Sequence, residues 1–312
     1  MTIKATSNLY FHEYFSDWLE LYKRGAVRPV TFQKYLITLQ RITELAPTLK
    51  INELNKRNYQ LLLNNYAQTH ERQTTMDFHH HLKSAILDAV DERVLNTDPT
   101  RKAIVKGKSP TQKKAKFLSQ FQLQSLIKCL CLENKLNWDW FILLIAKTGL
   151  RFSEALALTP NDFNFMEQKV SITKTWNYKN PDGGYSDTKN ASSKRSIQID
   201  SLLCDQFSKL VENFDEDKLL FINGRVFNST VNNRLKQLCI KVNIPIISIH
   251  SLRHTHASLL IYSGVSVASI AKRLGHSSVT TTQETYLHII QELENQDNEK
   301  IVKHLSLLTP RL

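Results

Sequence analysis

Residues 250–288 read HSLRHTHASLLIYSGVSVASIAKRLGHSSVTTTQETYLH, a helical pattern in which three short segments stand out. The segment HSLRH opens one helix, and Ser251 is its expected N-cap. The segment LGH at 274–276 ends the next helix. Tyr286 follows ten residues later, again in a helical pattern. Each segment taken alone can be explained by packing or by a surface position. Their order along the chain is therefore the observation that can indicate a function.

Two earlier segments belong to the same half of the chain. The segment TGLRFSE at 148–154 places Arg151 at a helix start, directly after a glycine break. The segment DTKN at 187–190 opens the return strand of a predicted hairpin and contains Lys189. Structural interpretations stay open at this point: an ion pair on one helix for Arg151 and Glu154, a solvated position for Lys189, and packing or surface positions for His254, His256 and Tyr286.

The first hundred residues carry four amphipathic stripes at helical spacing, and Gly25 and Pro29 separate the first two. These stripes predict a small all-helical domain. The run His79-His80-His81 does not indicate a metal site, because consecutive helix positions point in different directions and cannot converge on one ion.

The rest of the chain is predicted to be mostly helical with one small sheet. Ser119 is expected to cap a helix that runs to about residue 132. Alternating residues at 170–172 and 196–199 flank the turn-rich stretch 177–184, which indicates a hairpin with a long loop. Further helices are predicted at 137–148, 201–212, 228–241, 252–263, 266–274 and after residue 280. The expected fold class is mainly α with a small β-sheet.

The charge of the chain is unevenly distributed. It has 41 Lys and Arg against 29 Asp and Glu in 312 residues, a formal net charge of +12 that indicates a polyanionic partner. Seven basic residues and no acidic residue lie in 101–116, which is interpreted as an interdomain linker. That linker is either a solvated connector or a basic strap along a phosphate backbone. A second stretch, 218–283, has eight Lys or Arg and no carboxylate.

The composition argues against several classes of protein. A mean hydropathy of −0.33 and the lack of a long apolar run argue against a transmembrane protein. The first ten residues do not have the pattern of a secretion signal. Four cysteines without a C-x-x-C pair indicate neither a disulfide framework nor a zinc site. A reduced, cytosolic chain is the simplest interpretation.

Together and in this order, the five segments resemble those of the tyrosine recombinase (phage integrase) family. The resemblance covers nearly the whole chain, and its most specific parts are the T-G-L-R-x-S-E, H-x-L-R-H and L-G-H boxes followed by the tyrosine. The wording HSSVTTTQETYLH at 276–288 is most similar to integrases of phages and mobile elements of Gram-positive bacteria.

The resemblance implies an all-helical, SAM-like core-binding domain over 1–100, the basic linker 101–116, and an α+β catalytic domain with a C-terminal tail over 117–312. The chain starts almost directly at the core-binding helices, and no arm-binding domain is visible before them. The tail after Leu287 is expected either to pack into a neighbouring subunit or to cover its own core. The linker residues expected to bind DNA are Lys102, Lys106, Lys108, Lys113, Lys114 and Lys116.

The implied activity is that of a site-specific DNA recombinase, which cleaves and rejoins DNA through a 3′-phosphotyrosyl intermediate and a Holliday junction. In such an enzyme Arg151 and Arg253 would clamp the phosphate oxygens, a role that suits permanently charged guanidinium forks. Tyr286 would be the nucleophile, and His250 is the candidate that deprotonates it. Since these cations come from the protein, no metal ion or other cofactor is expected.

The remaining roles implied by the resemblance concern the leaving group and the surroundings of the phosphate. Lys189 would protonate the departing 5′-oxygen, with Lys194 and Lys174 as alternatives. His276 would hydrogen-bond the scissile phosphate. Glu154 would orient a neighbouring histidine.

The expected partners are double-stranded DNA at specific attachment sites, a homo-tetramer of the chain on that DNA, and accessory DNA-bending or directionality factors. No membrane partner is expected, and the bacterial cytoplasm is the expected location. Two other functions are compatible with these residues: DNA relaxation by a type IB topoisomerase, and DNA binding without catalysis. The complete set of expected side chains favours the recombinase.

Overall fold

The computed structural model describes residues 9–109, 117–188 and 191–286, and the chain divides into two compact units, 1–113 and 114–312. The predicted fold class is confirmed, because the described residues are mostly helical and their strands form two small sheets. None of the helices in these three ranges combines the length and the apolar character needed to cross a bilayer. The C-terminal tail after Leu287 lies outside the described residues.

The first unit is all helical within its described residues. Its helices are α1 (Phe11–Trp18), α2 (Pro29–Leu45), α3 (Lys56–Ala67) and α4 (Arg72–Asp91), with a π-helical turn at Leu19–Lys23 and a 3₁₀ turn at Ile51–Glu53. The predicted stop after the first helix is confirmed, since Gly25 adopts a left-handed φ of 75°. Side chains that all four helices bury form one core, including Phe11, Phe15, Ile42, Tyr59, Leu63, Leu82 and Ile86.

The described part of the predicted linker, 101–109, is attached to the first unit. The side-chain amide of Gln60 accepts a hydrogen bond from the Ile104 amide at 2.9 Å and donates one to the Ile104 carbonyl at 2.8 Å. The Lys108 amide donates to the His70 carbonyl at 2.9 Å. This segment is therefore extended, but it is held by hydrogen bonds rather than free in solvent.

Gly107→Ala is expected to release this segment from the first unit. A β-carbon at Gly107 would lie 2.3 Å from the backbone nitrogen of Arg72, and backbone atoms cannot swing aside as a flexible side chain can. An overpacking penalty of about 1–3 kcal/mol predicts that the Ile104 and Lys108 amides exchange hydrogen roughly tenfold to a hundredfold faster. Hydrogen–deuterium exchange of the full-length protein measures this rate when it is followed by mass spectrometry of the peptides that cover the segment. Ser109→Ala, at an exposed position, is the control, and unchanged exchange in Gly107→Ala would contradict the expectation.

The second unit combines helices with two small sheets. Its helices are α5 (Gln120–Lys128), α6 (Trp138–Thr148), α7 (Phe152–Leu156), α8 (Ser201–Val211), α9 (Asn228–Lys241), α10 (Ile249–Tyr262) and α11 (Val267–Leu274), and residues 279–286 are helical as well. Its strands are β1 (Phe163–Asn164), β2 (Lys169–Ile172), β3 (Lys174–Trp176), β4 (Tyr185–Asp187) and β5 (Arg195–Gln198), with 3₁₀ turns at Pro160–Asp162 and Ala191–Ser193.

The strands depart from the prediction of a single sheet. β2 pairs with β5 as expected, in an antiparallel register that sets Val170 opposite Ile197, and β1 extends this sheet on the other edge of β2. The chain between β2 and β5 forms a second, two-stranded sheet from β3 and β4. The return strand therefore begins at Arg195, and Asp187 ends the inserted hairpin instead of opening that strand.

Helix α6 is the centre of the second core. Phe141, Leu144 and Ile145 are at most 1% exposed, and α10 packs against this helix. The predicted cap of α5 is confirmed, since Ser119 accepts a hydrogen bond from the Gln122 amide, but the helix ends at Lys128. The predicted cap of α10 is wrong: Ser248 caps it by accepting from the Ser251 amide, because the helix begins at Ile249.

Candidate active site

The main-chain groups of the site come from the C-terminal ends of two helices. α6 ends at Thr148 and α11 ends at Leu274, and each is followed by a glycine in the left-handed region, Gly149 with φ 70° and Gly275 with φ 68°. A β-carbon on Gly275 would lie 2.8 Å from Nη1 of Arg195, so this turn is also closely packed. The carbonyl end of a helix is the negative end of its dipole. Both turns therefore favour positive side chains next to them.

Arg253 connects these two turns. Its side chain comes from α10, where the residue is 4% exposed, and its Nη1 and Nη2 atoms donate to the carbonyls of Gly149 and Leu274, each at 2.7 Å. Burial and the positive charge of Arg151 lower the pKa of Arg253 to about 9. The guanidinium stays protonated at neutral pH. Because burial and Arg151 disfavour its charged form, an anion bound next to Arg253 would stabilise that form.

Arg151 is the second cation of the site and stands at the N-terminus of α7. Its backbone amide and its Nη1 atom donate to the two carboxylate oxygens of Glu154 at 2.9 and 2.6 Å. Its Nη2 atom donates to the Gly275 carbonyl at 2.9 Å. The pair with Glu154 that the sequence indicated is confirmed. The side chain is 24% exposed, so it remains accessible to a ligand.

Glu154 is the buried counter-ion of two arginines. Its side chain is 1% exposed, and Arg195 donates to both of its oxygens at 2.9 and 3.2 Å. Burial opposes ionisation, but the hydrogen bonds and charges of Arg195 and Arg151 hold the pKa of Glu154 below its usual range. Its hydrogen-bond partners among the described residues are Arg151 and Arg195, and the role of orienting a histidine stays a prediction.

Arg195 is a residue of the site that the sequence interpretation missed. It begins β5, its side chain is 5% exposed, and its Nε atom donates to the Arg273 carbonyl at 2.6 Å. A signal was present, because Ile197 two residues later is buried and alternate residues of a strand share a face. A charged side chain on the buried face requires a partner of opposite charge.

Tyr286 lies in the helical segment 279–286 and is 3% exposed. Its ring packs in a small apolar cluster formed by Ala257, Ile261, Ile270 and Leu274. Its hydroxyl lies 3.0 Å from Nδ1 of His254. Burial raises the pKa of Tyr286 to about 12, although the charge of Arg253 acts in the opposite direction. The phenol is therefore protonated at neutral pH and needs a proton acceptor before it can act as a nucleophile.

Two further histidines lie within the electrostatic influence of the arginines. His276 directly follows the Gly275 turn, and its Nδ1 atom lies 2.7 Å from Oγ1 of Thr282. Burial and the charges of Arg253 and Arg151 lower the pKa of His276 to about 4. His250 is exposed at the start of α10, yet partial desolvation of its ring and the same two charges lower its pKa as well. Both imidazoles are thus neutral at neutral pH.

His254 and His256 have different roles from each other. The interpretation as a packing residue is confirmed for His256, which is buried, lies with Nδ1 3.0 Å from the Ala146 carbonyl and accepts from Nε of Arg273 at 2.9 Å. His254 is half-buried, and its Nδ1 atom lies 3.0 Å from the Tyr286 hydroxyl. The contact depends on where the segment 279–286 packs, which local spacing does not specify.

The predicted lysine, Lys189, lies outside the described residues. Of its alternatives, Lys174 has its Nζ atom 3.2 Å from the Asp162 carboxylate, and Lys194 is exposed. Of the linker lysines, three lie in the first unit and are exposed: Lys102, Lys106 and Lys108. The other three, Lys113, Lys114 and Lys116, lie outside the described residues.

Within the described ranges, no cluster of three or more His, Cys, Asp or Glu side chains could hold a metal ion. The groups assembled around Arg253 can do other chemistry. Two guanidinium groups can bind the oxygens of a phosphate, neutral imidazoles can donate or accept hydrogen bonds, and a phenol can attack phosphorus once it has lost its proton. The arrangement fits phosphoryl transfer to or from a tyrosine.

Comparisons of the sequence with known proteins indicate one family. The model of the phage integrase family matches residues 116–292. The integrase of Staphylococcus phage L54a is 24% identical over 95% of this chain and 93% of its own length. The ICEBs1 integrase of Bacillus subtilis (strain 168) is 27% identical over 70% of this chain and 62% of its own length.

Solved structures share the fold at low sequence identity. The Tn1549 transposon integrase in complex with transposon right end DNA superposes with a TM-score of 0.77 at 17% identity, over 94% of this chain and 100% of that one. The lambda integrase dimer bound to a COC′ core site has a TM-score of 0.68 at 15% identity, over 90% of this chain and 78% of that one.

Proposed function

Because the chain belongs to the phage integrase family and is a tyrosine recombinase, we propose that the residues around Arg253 carry out its strand cleavage and rejoining. The activity is site-specific recombination of DNA. The observation that carries the residue assignment is the anchoring of Arg151 and Arg253 on the ends of α6 and α11, in the same unit as the Tyr286–His254 contact.

In this proposal Arg151 and Arg253 bind the two non-bridging oxygens of the scissile phosphate. The fixed positions of their guanidinium groups support the role, because charge that is already oriented needs no reorganisation as the transition state forms. The lowered pKa of Arg253 supports this role as well, since a bound phosphate would supply a negative charge that stabilises the buried guanidinium. His276 and His250 are neutral and close to these charges, and they hydrogen-bond the same phosphate.

Tyr286 is the nucleophile of the proposed reaction. Its oxygen forms a bond to phosphorus while the bond from phosphorus to the 5′-oxygen breaks, which leaves a 3′-phosphotyrosyl link and a 5′-hydroxyl end. Lys189 donates the proton that the departing 5′-oxygen takes up, with Lys194 and Lys174 as alternatives. Attack by the 5′-hydroxyl of another strand reverses these steps, so two rounds of exchange pass through a Holliday junction.

The proposed partners are double-stranded DNA at specific attachment sites and three further copies of the chain, with accessory DNA-bending or directionality factors. The bacterial cytoplasm is the proposed location. The exposed Lys102, Lys106 and Lys108 contact the phosphate backbone in this proposal, together with the linker lysines outside the described residues, because a basic segment releases counterions when it binds DNA.

Two duplexes that each carry the attachment site are expected to yield recombinant products with the purified chain, also in EDTA, because the cations come from arginines. The site is read from the junctions of the mobile element that encodes the chain, and duplexes with a scrambled site are the control. Relaxation of supercoiled DNA without exchange would instead indicate a type IB topoisomerase. Binding without cleavage would indicate a catalytically silent protein, and loss of activity in EDTA would contradict the metal-free chemistry.

A further inference from the structure

The hydroxyl of Tyr286 is directed at one imidazole. Its oxygen lies 3.0 Å from Nδ1 of His254, and the two rings meet edge to face with centroids 5.9 Å apart. The tyrosine is 3% exposed, so bulk water has little access to it. A proton that leaves this phenol must therefore pass to a neighbouring protein group.

A proton acceptor must lie within hydrogen-bond distance, about 2.6–3.2 Å, of the group that it deprotonates. His254 meets this requirement. His250, the acceptor expected from the sequence, has its described ring contact with His254, in a perpendicular arrangement with centroids 4.9 Å apart. His250 thus packs beside the acceptor, while His254 contacts the reacting oxygen.

We propose that His254 accepts the phenolic proton of Tyr286 during strand cleavage, an inference that rests on the proposed role of Tyr286 as the nucleophile. The O–H bond of Tyr286 breaks, its proton moves to Nδ1 of His254, and the tyrosine oxygen bonds to phosphorus. The bond between phosphorus and the 5′-oxygen breaks, and that oxygen takes its proton from the general acid proposed above. In the rejoining step His254 returns its proton to the tyrosine oxygen as the phosphotyrosyl bond breaks.

This role requires one tautomer of His254, with a bare Nδ1 atom and the proton on Nε2. Two-bond ¹H–¹⁵N NMR of the full-length, histidine-labelled protein without DNA measures this directly. The resonances of His254 are identified by their loss in His254→Asn. We expect an unprotonated Nδ1 at neutral pH. A proton on Nδ1 under these conditions would overturn the proposal, because that atom could not then accept another.

The kinetic test separates deprotonation of the nucleophile from protonation of the leaving group. It uses nicked duplexes that carry the attachment site and that contain either the ordinary phosphate or a sulfur in place of the bridging 5′-oxygen. A thiolate leaves without a proton, so a defect in the general acid is repaired by sulfur. A defect in the proton acceptor is not repaired, because the tyrosine must still lose its proton.

His254→Asn is expected to slow single-turnover cleavage by about 10²–10⁴-fold on both duplexes, because the amide oxygen can accept a hydrogen bond but cannot carry away a proton. Lys189→Ala is expected to recover on the sulfur-containing duplex. Equal DNA binding by His254→Asn and wild type in a mobility-shift assay shows that the variant is folded. Repair of His254→Asn by sulfur, or cleavage at nearly the wild-type rate, would overturn the assignment. A wild-type protein that forms no covalent adduct would overturn the proposed function instead.

Discussion

Tyr286→Phe is expected to abolish the covalent protein–DNA complex on a nicked attachment-site duplex, with a loss of at least about 10⁴-fold in cleavage rate. The substitution removes the attacking oxygen and leaves no substitute for it. The phenylalanine ring retains the contacts with Ile261, Ile270 and Leu274, so the fold and the binding of DNA are expected to persist. Denaturing gel electrophoresis measures the adduct, and a mobility-shift assay measures binding.

The matched control is Tyr262→Phe, which makes the same chemical change at an exposed position at the end of α10. This variant is expected to form the adduct at the wild-type rate. Persistence of the adduct in Tyr286→Phe would show that another residue is the nucleophile. Loss of both DNA binding and the adduct would show that the hydroxyl is needed for the fold. That result would contradict the expectation that the variant folds, which is based on the hydroxyl having one described hydrogen bond, to His254.

Glu154→Gln is expected to lower the free energy of unfolding of the second unit by about 3–5 kcal/mol. The carboxylate is 1% exposed and neutralises Arg151 and Arg195 together, so its removal leaves two guanidinium groups without their counter-ion. Cleavage is also expected to slow, because the amide nitrogen of glutamine cannot accept a hydrogen bond and Arg151 therefore loses one of the two hydrogen bonds that it donates to Glu154. Urea denaturation followed by tryptophan fluorescence measures the stability.

Glu167→Gln provides the matched control for burial. Glu167 forms an ion pair too, with Lys169, but both of these side chains are largely exposed. Exposed pairs contribute little or nothing measurable to stability. The prediction for Glu154 therefore tests the environment of the charge and not the presence of a pair. Equal, small changes in both variants would contradict the structural role assigned to Glu154.

The contribution of the Glu154 carboxylate to stability is also expected to depend on pH. The pKa of Glu154 is depressed in the folded state, so its stabilising contribution is complete above the pKa of the unfolded chain, about 4.3, and is lost as pH falls through the lower folded value. The difference in unfolding free energy between wild type and Glu154→Gln is therefore expected to be largest at neutral pH and to shrink in acid. A difference that is independent of pH would indicate lost packing rather than lost charge.

Local sequence patterns predicted the helices and the boxes of the site because those features depend on neighbours three or four residues apart. Arg195 escaped notice because its partner, Glu154, lies 41 residues earlier, and the two meet only after β5 has paired with β2. The inserted hairpin was missed because strands of three residues are too short to show an alternation. The contact of His254 with Tyr286 was not predicted, and the residue was interpreted as a packing or surface residue, because the contact joins two helical segments 32 residues apart.

The anchoring of Arg253 has a consequence for how copies of such a gene lose activity by mutation. Replacing Tyr286 with phenylalanine removes one hydroxyl, with a net effect on stability of about 1 kcal/mol. Replacing Arg253 leaves the carbonyls of Gly149 and Leu274 buried without their donors, and each such group costs about 1–3 kcal/mol. Since folded proteins have only narrow stability margins, inactive descendants that still fold and bind DNA reach that state more readily through the tyrosine than through the arginine.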